Sequence, residues 1–220
     1  MVGIRMTVKF TQTARRLGIL SAVSVVILLV AYSITLAMGF MSLESSNQPI
    51  AGPLFLMLEL LIILLIPGLV ALMVAVHAWA DSETKVLSLT ALIFMGLLAG
   101  VTGSLHFVIL TVGGPAASQA AQDLLSFKWP SVAYALDILA WDVFFALSML
   151  FAAPVFTGSR LALTIRILMT SSGVLSLAGL SGVLVGDMHL RNIGIVGYDG
   201  LFLVVVVLLA ILFYRTEVEA

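Results

Sequence analysis

The stretch Leu54–Trp79, LFLMLELLIILLIPGLVALMVAVHAW, settles the class of fold. It is apolar on every side, and Glu59 is the one acidic residue in it. A helix needs about 20 such residues to cross the hydrocarbon core, which is about 30 Å thick, because each residue rises about 1.5 Å. Five further stretches behave alike. They run at about Leu17–Phe40, Val86–Gly113, Pro130–Phe156, Leu161–Val185 and Ile193–Tyr214. The expectation is one all-α domain, a bundle of six transmembrane helices that uses most of the chain. The lipid bilayer is its first partner.

Composition agrees. The 220 residues are 62% hydrophobic and 10% charged, with a mean hydropathy of +1.23. Soluble domains are about 45–50% apolar and about 25% charged. A net charge of −1 leaves no basic face for nucleic acid. Without cysteine there is no disulfide, iron–sulfur cluster or Cys-based zinc site. The first span follows Arg15-Arg16 as a signal peptide would, but it exceeds the about 7–15 residues of a signal core. It reads as a retained anchor.

Charge in the connections orients the bundle. Arg5, Lys9, Arg15, Arg16, Lys85, Arg160, Arg166 and Arg215 fall on one side, and Lys128 and Arg191 on the other. Both termini are therefore expected in the cytoplasm, with a bacterial inner membrane as the setting. The longest connection, Gly114–Trp129, is polar and rich in alanine. Its Ala116–Phe127 part reads either as a short interfacial helix or as a plain loop. Oligomerisation is left open.

Ionisable side chains inside a span cost about 2.5–3.5 kcal/mol each on insertion scales, so each one needs a reason. Glu59 lies as many residues before Ser82 as His106 lies after Glu83, so antiparallel neighbours carry them at one height. Asp137 sits as far into the fourth span as His106 sits from the end of the third. Leu201–Tyr214 is too short to span, so the sixth helix starts earlier and draws Asp199 into the membrane. Glu59, His106, Asp137 and Asp199 thus form one layer about 10 Å beneath the outer face, with Tyr134 on the face of Asp137. Asp142 is expected about 7 Å deeper and about 140° around its helix from Asp137, so that the two point apart. Asp187, His189 and Arg191 form a polar rim.

Three carboxylates facing one imidazole must stay protonated or hold a cation. His106, Glu59 and Asp137 offer ligands for a metal ion. Haem would need His106 with His189 and is not expected. No lysine in a span offers a Schiff base. Small residues recur every fourth position at Gly96, Gly100 and Ser104 and at Ala178, Gly182 and Gly186, a pattern that lets helices pack closely. Pro67-Gly68 is expected to kink the second helix.

The block His77-Ala78-Trp79-Ala80, with Lys85–Phe94 and His106-Phe107, resembles small multi-pass bacterial membrane proteins that carry no assigned activity. So does Ala135–Leu139 followed by Phe144–Phe151. The resemblance implies a bacterial membrane protein and transfers no site residue. Three functions remain. The first is a protein that binds or transports a proton, a metal cation or a small polar ligand at an outer-leaflet site. The second is a membrane enzyme using Glu59 or Asp137 with His106 as acid and base on a lipid-like substrate. The third is a structural subunit whose polar layer only fixes helix packing.

Overall fold

The computed structural model describes residues 10–45, 48–113 and 117–217. Arg5, Lys9, Gly114 and Ala116 lie outside the described residues. Six helices are long and apolar enough to cross a membrane: α1 (Gln12–Met41), α2 (Gly52–Trp79), α3 (Lys85–Val112), α5 (Val132–Val155), α6 (Arg160–Val185) and α7 (Met188–Arg215). The short α4 (Gln119–Leu125) lies between α3 and α5, so the long connection does form a helix. No strand occurs among the described residues.

Each helix packs on its neighbour in chain order, and α7 returns to α1, which closes a ring of six. One face of the bundle carries the start of α1 and the end of α7. We call it the termini face and the opposite one the far face.

Caps explain where helices begin. Thr11 accepts from Ala14 N and Ser131 from Tyr134 N, each through its hydroxyl. The Asp187 carboxylate accepts from His189 N at 2.9 Å, so α7 starts at Met188, earlier than the expected Ile193. In the α2–α3 turn, Asp81 accepts from the hydroxyl and the backbone N–H of Thr84. Those bonds hold its carboxyl below the usual carboxylate range.

Two helices are not α-helical throughout. Leu139–Phe145 in α5 and Val196–Leu201 in α7 are π-helical, with i→i+5 bonding. A wider turn changes which residues share a face beyond it.

The half of the bundle near the termini is filled. Phe145, Phe156, Phe213, Leu72, Met95, Met149 and Met169 are fully buried there. Trp79 stacks on Phe156 at 5.3 Å and donates to the Thr216 hydroxyl. Lys85 donates to the carbonyls of His77 and Ala80 and satisfies the end of α2. Lipid is as apolar as leucine, so packing and close backbone approach hold such helices together. Gly68 supplies one approach, because a Cβ there would meet Val25 on α1 at 2.9 Å.

The small-residue stripes do not all serve this purpose. Gly96, Gly100 and Ser104 are exposed on α3, and a Cβ at Gly96 or Gly100 would meet nothing within 4 Å. On α6 the expected Ala178 and Gly186 are exposed as well. Gly182 does pack, together with Ser172, Gly173, Ser176 and Gly179, against α5 and α7.

Candidate functional site

The far half of the ring is hollow. A cavity of about 1100 Å³ reaches from the far face down to the level of Tyr32, Trp141 and Tyr198. All five residues expected in the outer layer line it: Glu59, His106, Tyr134, Asp137 and Asp199. So do Asp187, His189 and Arg191.

Glu59 on α2 and His106 on α3 meet as the hairpin count requires. His106 Nδ1 lies 2.7 Å from Glu59 Oε2, and the two residues are 1% and 2% exposed. An ionised Glu59 needs a donor, which places a proton on Nδ1 and points Nε2 the other way. That Nε2 is buried and has no hydrogen-bond partner among the described residues. The nearest carboxylate oxygen, Asp137 Oδ1, is 4.0 Å away, beyond hydrogen-bond reach. Phe127 comes down from the α4 side and stacks on the His106 ring at 5.7 Å.

Arg191 is not a rim residue. It is 6% exposed and forms the centre of the site. Its Nη2 donates to Asp137 Oδ2 at 2.7 Å and its Nε to Asp142 Oδ2 at 3.2 Å. The guanidinium lies 4.7 Å over the Tyr134 ring, a cation–π arrangement. The early start of α7 carries Arg191 inward, onto the helix rather than the loop before it.

Asp137 and Asp142 reach the same cation, contrary to the expectation that they point apart. The π-helical turn at Leu139–Phe145 is the physical reason. In an α-helix residues five apart diverge by about 140°, whereas i→i+5 bonding widens the turn and brings them closer in direction. Asp142 also occupies a notch between helices. Its Oδ1 fills the space that a Cβ on Gly179 of α6 or Gly194 of α7 would take. That oxygen has no hydrogen-bond partner.

The charge balance differs from the expected three carboxylates against one imidazole. Arg191 supplies an internal cation, so the protein itself neutralises part of the layer. The grouping of His106, Glu59 and Asp137 is not arranged around a metal either. Among the described residues no three His, Asp or Glu side chains stand at metal-ligand spacing. Glu59 is taken by the Nδ1 proton and Asp137 by Arg191.

Asp199 stands apart from this cluster. Both of its oxygens lie about 3 Å from the Ser33 hydroxyl on α1. His77 is at the other end of the bundle, with Nδ1 2.8 Å from Ser88 Oγ. Tyr32, Ser33, Phe127 and Tyr198 belong to the site and were missed. The Tyr32-Ser33 pair inside an otherwise apolar span was a usable signal.

No family model, no characterised protein and no solved structure matches this chain. The reading of the site therefore rests on its geometry.

Proposed function

We propose that this multi-pass membrane protein binds a small polar ligand in the far-face cavity. On the orientation given by the arginine and lysine bias, that cavity opens outward from a bacterial inner membrane, with both termini in the cytoplasm. The observation that carries the reading is His106 Nε2. It is buried and without a partner among the described residues, 4.0 Å from Asp137 Oδ1, on a side chain that lines a large cavity. A buried polar atom left unmade costs about 1–3 kcal/mol. A ligand group placed between Nε2 and Oδ1 would recover that cost. A layer serving only to hold helices together would gain by closing the gap.

The packed half near the termini leaves the cavity closed at its base. This is the shape of a binding site open to one side, as in one state of an alternating-access carrier or in a receptor. The test is thermal unfolding of the purified chain in neutral detergent with ethylammonium, glycerol or magnesium added separately. At least one should raise the midpoint saturably, and His106→Phe or Asp137→Asn should abolish the rise. No saturable effect from any of the three would favour a purely structural layer.

A further inference from the structure

The ring of helices is closed near the termini but not at the far face. α1 packs along Phe202–Arg215 of α7, with at most slight contact along Met188–Ile195. The Ser33–Asp199 contact marks the level where the two helices part. Beyond it, Leu36 and Phe40 of α1 and Ile195 of α7 line the cavity on either side of the gap. Phe40 is 49% exposed, so this wall is continuous with the lipid-facing surface. The wall at these three residues is thus apolar, while Glu59, His106, Asp137 and Asp199 bring polar groups to the interior. That gradient suits a molecule with a tail at the gap and a head inside.

The head is specified by charge. Glu59, Asp137, Asp142 and Asp199 are four carboxylates, and Arg191 with His106 are the cationic or potentially cationic groups among them. Even with His106 protonated, these four carboxylates outnumber the two cationic groups. Arg191 is already held by two of them, so its charge is balanced within the protein. Unfilled acceptors are present in the depth of the cavity. Asp137 Oδ1 is one, and His106 Nε2 is another in the neutral ring. Asp199 is under-served too. Ser33 Oγ lies 2.8 Å from Leu29 O as well as near both Asp199 oxygens, and its single hydrogen serves one acceptor at a time. Tyr32, Trp141 and Tyr198 add aromatic rings to the lining. The volume of about 1100 Å³ exceeds what a small ammonium ion fills and matches a drug-sized or single-chain ligand.

We infer that the cavity takes a primary ammonium carried on an apolar chain, which enters sideways from the lipid between α1 and α7. The inference rests on the binding role proposed above and names the class of ligand. The ammonium donates to His106 Nε2 and Asp137 Oδ1, and the chain lies along Leu36, Phe40 and Ile195.

The test is titration of the full chain in neutral detergent with dodecylammonium, read by tryptophan fluorescence, since Trp129 and Trp141 line the cavity. Saturable binding is expected, at least 100-fold tighter than ethylammonium, with no saturable response to dodecyl phosphate. Asp137→Asn should weaken dodecylammonium at least 10-fold. That variant disturbs a buried ion pair, so a second one leaves the head site intact. Ile195→Trp narrows the gap and should weaken dodecylammonium while leaving ethylammonium unchanged. Equal affinity for the two amines would overturn the inference and leave the binding role standing, as would equal binding of dodecyl phosphate. An Ile195→Trp variant with unchanged dodecylammonium affinity would overturn lateral entry. Failure of both amines, together with glycerol and magnesium, would overturn the binding role as well.

Discussion

Asp137 and Asp142 stand five residues apart on one helix and grip the same guanidinium from the same side. The π-helical turn at Leu139–Phe145 lies between and around them and alters the α-helical spacing that would turn them apart. Such turns are frequent at functional sites. Here it converts two carboxylates that would diverge into one clamp, and it leaves Asp137 Oδ1 free toward His106.

The clamp predicts the stability of charge variants. Breaking a buried ion pair from one side leaves uncompensated charge and costs about 3–5 kcal/mol. Arg191→Met should therefore lower stability by about that amount in detergent unfolding. The triple variant Asp137→Asn, Asp142→Asn, Arg191→Met removes all three charges together and should recover most of the loss. A triple variant no more stable than Arg191→Met would mean that packing around Arg191, not its charge, sets the cost.

Glu59 and His106 should behave as one unit. The 2.7 Å contact between two fully buried groups predicts a coupling of about 0.5–3 kcal/mol in a Glu59→Gln and His106→Ala double-mutant cycle on stability. Glu59 paired with His77→Ala supplies the control, because His77 bonds Ser88 at the opposite end of the bundle. That second cycle should be additive. Coupling of equal size in both cycles would point to a general loss of folding rather than to a shared site.

Orientation is open to a direct check. Reporter fusions after Phe40 and Met188 should register outside the cell, and fusions after Asp81, Gly158 and Tyr214 inside. The reverse pattern would turn the cavity toward the cytoplasm and give the site a different source of ligand.

Much of this was legible in the residues. Span lengths fixed the six helices, and equal counts from the Ser82–Glu83 turn brought Glu59 to His106 without any assumption of contact. What failed shared a cause. Placing Asp142 assumed α-helical spacing throughout, and no residue type announces a π turn. A helix starting at Ile193 leaves Arg191 in the loop before it. The Asp187 cap moves that start to Met188 and carries Arg191 onto the helix. Asp199 shares the cavity with the other three but bonds Ser33 on α1, since a common layer alone does not say which way a helix face turns.

The glycines give the sharpest contrast between sequence pattern and packing. Gly100 and Gly182 both belong to stripes of small residues, and by pattern alone they should matter equally. In the structure they do not. A Cβ at Gly100 meets nothing within 4 Å, so Gly100→Leu adds one more side chain facing lipid. Its effect on stability should stay within about 0.5 kcal/mol. A Cβ at Gly182 would stand 2.7 Å from Arg191 N and from Asp187 O, both backbone atoms that cannot swing aside. Gly182→Ala should therefore push the start of α7 away from α6 and cost about 1–3 kcal/mol. Because Arg191 sits on that first stretch of α7, the same variant should also loosen its hold on Asp137 and Asp142. Unfolding midpoints of the two variants, measured side by side in one detergent, decide the matter. A Gly182→Ala protein as stable as its parent would show that α6 and α7 do not approach as closely as their backbones indicate.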